Sequence, residues 1–371
     1  MTDLIVFGED WGGHPSSTQH LISHLPGQNR VVWVNSIGLR RPRLTLADAG
    51  RALRKVAQAI GGTKLPAAQQ HDAPGPVIQP VIVPMARSAP LRALNRALLK
   101  RKVGGAVRAA GLKRPILWIS LPSAVDAIGS LEESAVVYYC GDDFGALAGV
   151  DHARCLEMEA ELARRADLIL AASPAMAARF PAEKTRVLPH GVDLDLFQTP
   201  APRAADLPEG KVAGFYGTLA EWLDYDLIAA TAKRLPDWRF VFIGHVAADI
   251  SAISGLPNVT LLGPRPHAEL PHYAQHWSIG LIPLLDNAQI RASNPLKLRE
   301  YLAAGRPIVA TPFPALMPYA EHVSIATTAE GFVEALIATS GDRNTQVRRD
   351  AVAGESWDAR AAQAAALMAE L

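Results

Sequence analysis

The chain has 371 residues, too many for one ordinary domain, and 49% of them are hydrophobic, so two soluble domains with ample cores are expected. Its only cysteines, Cys140 and Cys155, form no CxxC pair, which excludes a disulfide framework and a cysteine-held zinc site and fits a reducing compartment. The start, MTDLIVFGEDWGG, has acids where a signal peptide is basic, and no window approaches the roughly 18 apolar residues of a membrane span.

Taken in chain order, LIVFGE (Leu4 to Glu9) reads as a strand running into the Gly-rich loop GEDWGGHPSST, which carries Asp10, Trp11 and His14. A helix, TQHLISHL, and a strand, RVVWVNS, follow. Residues 44–60 and 90–110 are predicted helices with basic polar faces. Between Arg30 and Arg114 there are 17 Lys/Arg and two acids, an excess of +15 that the rest of the chain offsets with −14 to reach the net +1. Asymmetry of that size points to an anionic partner on one face. PILWIS, AVVYYC and LILAAS are further strands, with the helix CLEMEAELARRA between the last two. The alternation predicts a doubly wound domain over 1–197, and the Pro- and Ala-rich stretch QTPAPRAADLPEG predicts a linker at 198–210.

The pattern then begins again with KVAGFYG, LDYDLIAATAKRL, WRFVFIG, NVTLLG, ELPHYAQH and SIGLIPL, a second doubly wound domain over 211–350. Residues 351–371 are predicted to end the chain in an Ala-rich helix. Gly217 and Thr218 follow the first strand of this domain, where close backbone approach to a phosphate needs a glycine. Near its end stands SNPLKLREYLAAGRPIVATP. Asn294 reads as the N-cap, Pro295 as the first helical residue, Gly305 as the left-handed stop, and PIVAT as a buried strand. The open N–H groups of that helix start suit a phosphate with Lys297 beside them, and Glu300, one turn on, suits a ribose diol. Two such domains are expected to place the carboxyl ends of their strands around a central cleft.

The segments VVYYCGDDF, ARRADLILAASPAM, LPHGVDLDLF, GFYGTLAEWLDYDLI, PDWRFVFIG, LPNVTLLGPRPHAELPHY and NPLKLREYLAAGRPIVAT, in this order, resemble nucleotide-sugar-dependent glycosyltransferases of the GT-B architecture. The likeness is to the bacterial teichuronic-acid type (family 4-like) and, more distantly, to xanthan glucuronosyltransferases. It implies two Rossmann-like α/β domains facing a central cleft. It also implies a nucleoside-diphosphate sugar as donor, UDP-linked, and a glycan or lipid-linked acceptor in bacterial surface polysaccharide synthesis, either capsule or exopolysaccharide. By position, Asn294 and Lys297 meet the diphosphate, Glu300 the ribose and Arg265 of GPRP the nucleobase, with Ser293, Gly217 and Thr218 alongside. Many retaining members carry a further glutamate eight residues before the ribose-binding one, where this chain has Ala292; Arg291 and Ser293 are its nearest substitutes.

On the acceptor side, the base of the xanthan enzymes aligns with Asp142, which takes the proton of an acceptor hydroxyl and implies inversion. Asp143 is read as a cap for the following helix, and Asp10, Trp11 and His14 as acceptor contacts. No cofactor or metal is expected, since two adjacent Asp lack further ligands. A lipid-linked acceptor implies a cytoplasmic enzyme, peripheral on the inner face of the cell membrane. It would meet anionic lipid through residues 40–114, where PLRALNRALLKRK sets Leu91, Leu94 and Leu98 apart from Arg92, Arg96 and Lys100. Nucleic acid is not expected, because the segment has no interleaved aromatics. Two alternatives stand beside a transferase. One is a catalytically silent homologue that binds a sugar nucleotide or scaffolds an assembly; the other is a GT-B sugar-nucleotide 2-epimerase. A nicotinamide dehydrogenase is disfavoured, because VFGEDWGGHP does not match GxGxxG.

Overall fold

The computed structural model describes residues 2–12, 16–27, 29–37, 73–83, 86–145 and 151–371. The chain divides into two units: Met1–Pro189 with Arg360–Leu371, and His190–Ala359. Residues 198–210, expected as a linker, belong to the second unit. The Ala201 N–H donates to Gln275 Oε1 (2.9 Å), the Ala204 N–H to the His272 carbonyl (3.0 Å), and Leu207 is buried.

The first unit holds a seven-stranded sheet in the order β3-β2-β1-β4-β5-β6-β7. Its strands are β1 (Asp3–Phe7), β2 (Arg30–Val34), β3 (Val77–Ile78), β4 (Ile116–Ile119), β5 (Ala135–Cys140), β6 (Leu168–Ala171) and β7 (Thr185–Val187). The second unit holds six strands in the order β10-β9-β8-β11-β12-β13. These are β8 (Lys211–Tyr216), β9 (Trp238–Ile243), β10 (Val259–Gly263), β11 (Ile279–Ile282), β12 (Ile308–Ala310) and β13 (Ser324–Ile325). Every pairing is parallel. Parallel strands covered on both faces need unbroken apolar runs, and β4, β5, β6, β11 and β12 are buried at every position. Both sheets reverse their winding once, between β1 and β4 and between β8 and β11. Ligands of doubly wound folds bind outside the carboxyl ends of strands at such a reversal.

In the second unit the packing fixes one helix against that edge. A Cβ on Gly214 of β8 would fall 2.1 Å from the Trp277 ring, and one on Gly280 of β11 would fall 2.5 Å from Tyr301. The bare glycines therefore let both rings lie flush on the sheet. Tyr301 is part of the helix Leu296–Ala303, whose Leu298, Tyr301 and Leu302 are fully buried, each side chain contributing roughly 1.5–3 kcal/mol. Its hydroxyl accepts from the Tyr216 N–H (3.2 Å), tying the helix to the last residue of β8. Gly305 stops the helix as expected, at φ +74°, with the Gly305 N–H on the Leu302 carbonyl and the Arg306 N–H on the Tyr301 carbonyl.

The start of that helix departs from the expectation. Pro295, not Asn294, is the capping residue, Leu296 is the first helical one, and no side chain caps the start. Asn294 is buried and accepts from Arg299 Nη1 (2.5 Å), while Arg299 Nε reaches Glu355 (2.5 Å). A guanidinium that is 4% exposed must have acceptors, and it takes the amide oxygen that would otherwise have capped the helix.

Candidate active site

At the carboxyl edge of the second sheet, neighbouring strands β8, β9 and β10 run into glycines with positive φ: Gly217 (+131°), Gly244 (+148°) and Gly263 (+70°). The Gly217 N–H donates to the Ile243 carbonyl (2.9 Å) and the Gly244 N–H to the Gly263 carbonyl (3.0 Å). A Cβ on Gly244 would lie 2.0 Å from the Gly217 carbonyl oxygen, so only glycine fits. Gly244 was not singled out from the sequence, although WRFVFIG repeats the strand-then-glycine pattern of KVAGFYG.

Lys297 lies against this edge. Its Cε is 3.3 Å from where a Gly217 Cβ would stand, and its Nζ is 5.2 Å from the centroid of the Phe215 ring. Among the described residues its ammonium has no hydrogen-bond or ion-pair partner. Burial lowers its pKa below the ordinary lysine value, and the Glu300 charge acts in the opposite sense. An unpaired, half-buried cation at a glycine turn, beside an uncapped helix start, is arranged to receive an anion.

Glu300 is 6% exposed and fully engaged. The Tyr216 hydroxyl donates to Oε2 (2.7 Å), and His267 Nε2 meets Oε1 (2.8 Å). Loss of solvent pushes its pKa up, but the His267 bond and charge, the Tyr216 bond and Lys297 outweigh that and hold it below the ordinary value. Thus Lys297 and Glu300 come together as expected. Tyr216 and His267 join them, and no local signal marked either.

The other expected donor residues are placed as follows. Thr218 is exposed beside Gly217. The Ser293 hydroxyl donates back to the Ile290 carbonyl (3.0 Å). Asn294 faces Arg299, as described above. Arg265 is committed elsewhere: Nη2 to Asp206 (2.7 Å), Nε to the Tyr273 hydroxyl (3.1 Å) and Nη1 to the Pro264 carbonyl (3.1 Å). Ala292 is buried at the end of the short helix Ala288–Ala292.

At the carboxyl edge of the first sheet, Asp142 and Asp143 follow β5. Asp143 is bound on Oδ1 by Arg179 Nη1 (2.7 Å) and the Gly145 N–H (2.9 Å). It does not cap the next helix, His152–Arg165, because Asp151 does so. Asp142 is exposed, and among the described residues no donor reaches its carboxylate. Although the side chain keeps contact with solvent, the protein packed around it thins its hydration and pushes its pKa up to about 6, and the like charges of Glu9 and Asp143 act the same way. Asp143 is therefore a paired carboxylate, and Asp142 is the one left free to take a proton.

The first loop is pinned at its near end. Asp10 accepts from the Ser36 N–H (2.9 Å) and hydroxyl (2.7 Å), and the Trp11 N–H donates to Asn35 Oδ1 (3.0 Å). The Trp11 ring meets Trp33 edge-on at 4.8 Å. His14, expected with them, lies outside the described residues. Among the described residues no group of three or more His, Cys, Asp or Glu is arranged to hold a metal ion.

The comparisons with known proteins follow this geometry. Residues 210–342 match the model of the glycosyl transferases group 1 family. A putative teichuronic acid biosynthesis glycosyltransferase of Bacillus subtilis (strain 168), TuaH, is 32% identical over 192 residues, 47% of this chain and 48% of that protein. The match thus spans about half the length of that relative. Among solved structures, Anabaena HepE in complex with UDP-glucose superposes with a TM-score of 0.67 at 16% identity, over all of both chains. Sucrose-phosphate synthase of Thermosynechococcus elongatus superposes at 0.70 and 16%, over 100% of this chain and 99% of that one. The two Rossmann-like units are the GT-B fold of those proteins, and residues 210–342, which carry Gly217, Lys297 and Glu300, form a glycosyltransferase group 1 domain.

Proposed function

We propose that the protein transfers a sugar from a UDP-linked donor to a glycan or lipid-linked acceptor in the synthesis of a surface polysaccharide, with no metal or other cofactor. The observation that carries this reading is the Lys297 ammonium, unpartnered among the described residues, between Gly217 and the uncapped start of Leu296–Ala303, with Glu300 one turn on. A diphosphate suits the cation and the open helix start, and a ribose diol suits the carboxylate. Gly217, Thr218, Ser293, Lys297 and Glu300 are the residues assigned to the donor. The teichuronic acid enzyme among the relatives supports the polymer class, and HepE with UDP-glucose supports the nucleotide. Asp142 is assigned the role of general base, which deprotonates the acceptor hydroxyl as it attacks the anomeric carbon.

The test is a thermal-shift panel of nucleoside diphosphates and their sugars, since a ligand that binds the native state raises its melting temperature. UDP and a UDP-sugar should shift it. No shift with any nucleoside diphosphate at millimolar concentration overturns the assignment. Ala292 favours a second reading, a homologue that binds donor without turning it over. Mass spectrometry of a UDP-sugar incubated with glycan and lipid-linked acceptors separates the two, because only the transferase forms product.

We further propose that the helix Ala89–Ala109 meets an anionic membrane from the cytoplasmic side. Asn95, Leu99, Val103 and Val107 face inward, while Leu91 and Leu94 are 40% and 46% exposed beside exposed Arg96, Lys100 and Arg101. Arg92, expected in that basic set, instead pairs with Asp126 (2.6 Å) and Glu161 (2.8 Å). The predicted helix at 44–60 lies outside the described residues. Among the described residues no helix is long and apolar enough to cross a membrane.

A further inference from the structure

Glu300 has a companion that the donor reading does not use. His267 follows β10 in the turn His267–Glu269, and its Nε2 lies 2.8 Å from Glu300 Oε1. Its ring meets Phe197 edge-to-face at 5.6 Å between centroids, which fixes the imidazole plane. The groups facing it are Glu300 from the helix Leu296–Ala303, Asp193 ahead of the helix Leu194–Gln198, and the Glu300-bound Tyr216 hydroxyl of β8. Lys297 faces Glu300 from the same helix. Lys297 offsets Glu300 and Asp193 adds one further negative charge, so protonation of His267 takes the site from a net −1 to zero.

We propose that His267 is the positioning residue of the ribose subsite, holding Glu300 in one orientation for the diol and tying nucleotide affinity to its own protonation. This rests on the donor reading above. The chemistry has two separable parts. The Nε2–H bond orients Glu300 in either charge state of the ring, which serves the ribose of any uridine compound. The imidazolium adds a positive charge that only an anionic ligand feels. Burial lowers the His267 pKa, but the bond to Glu300 and the charges of Glu300 and Asp193 more than offset this and leave it above the ordinary histidine value. An anion bound nearby raises it further, so binding takes up protons and weakens as pH rises through the free-state value.

The experiment is titration calorimetry of UDP and uridine from pH 6 to 8.5 on the full chain and two variants, His267→Gln and His267→Ala. Wild-type affinity for UDP should fall about 3–10-fold across that range, as expected for losing one charge in a partly solvated site, while uridine affinity stays flat. Glutamine keeps a donor to Glu300 but cannot titrate. His267→Gln should therefore bind uridine as the wild type does and bind UDP without that fall, keeping only the opposite slope that UDP's own terminal phosphate sets as it loses its last proton at about pH 6. His267→Ala should lose affinity for both ligands at every pH. Absence of UDP binding in the wild type overturns the donor reading and this inference with it. UDP binding that is pH-independent, or equally pH-dependent in His267→Gln, overturns only the inference. Should His267→Ala fail to fold, as circular dichroism would show, the wild-type and His267→Gln comparison still decides it.

Discussion

Lys297→Met separates the cost of holding a cation at the strand edge from its use. The methionine keeps most of the stem that packs on Phe215 and Gly217 and removes only the ammonium. In the empty protein that ammonium has no anionic partner among the described residues, and its pKa is lowered. A lysine with a lowered folded-state pKa destabilises the fold at every pH where the unfolded chain keeps it charged, which includes neutrality. What it gains in return is a cation–π contact of roughly 0.5–1 kcal/mol. The contact offsets part of that penalty, so Lys297→Met should leave the melting temperature of the free protein unchanged or slightly raised. The ligand-bound state differs. A charge-assisted hydrogen bond to a phosphate contributes about 1.5–3 kcal/mol, so UDP affinity should fall about 10–150-fold while uridine affinity barely moves. Calorimetry with the two ligands, beside a melting curve of the free variant, reads all three quantities. Equal losses for uridine and UDP, or a marked drop in melting temperature, would refute the assignment of Lys297 to the diphosphate.

Asp142→Asn should lower turnover about 10²–10⁴-fold with donor affinity near normal, whereas Asp143→Asn, which weakens the pair with Arg179, should act mainly on stability. Because Asp142 is pushed up to about 6 and a base must be unprotonated, wild-type turnover should climb as pH passes through that value; a rate already flat from pH 4.5 would remove Asp142 from the role. Gly244→Ala should destabilise the protein by roughly 1–3 kcal/mol from backbone strain alone, since its φ is +148° and the added methyl would meet the Gly217 carbonyl, and an unchanged melting curve would contradict that geometry. The protein should sediment with anionic vesicles at low salt and leave them as salt rises, each basic residue at the surface contributing about 1 kcal/mol; Leu91→Glu with Leu94→Glu should abolish binding, and retention by neutral vesicles would argue for another contact.

The alternation of apolar runs with amphipathic stretches made both sheets legible in the sequence, because parallel strands and their covering helices each carry their own period. Lys297 and Glu300 were legible for the same reason, being spaced along one helix whose stop at Gly305 is local. What escaped was settled between distant residues. Asn294 looked like a cap until Arg299 and Glu355, 56 residues apart, drew its oxygen into their pair. Asp143 looked like a cap until Arg179, 36 residues on, claimed it. His267 reaches Glu300 across 33 residues, and no period in the chain reports such a meeting. The glycine turns stand between these cases: Gly217 was readable as a turn that needs a glycine, while Gly244 needed the neighbouring strand end to show why no side chain fits.

Three adjacent strands that end in Gly217, Gly244 and Gly263 leave the edge of the second sheet paved with main chain. A ligand lying on that paving is read by peptide groups, which no ordinary substitution alters without disturbing the fold. On the proposed donor reading, selectivity then rests with the residues standing around it: Thr218 on one side, Ser293 and Lys297 at the helix start, and Tyr216 with His267 behind Glu300. On that reading, libraries meant to change the donor sugar or base should vary those positions and leave the glycines alone, because the glycines decide whether the surface forms at all.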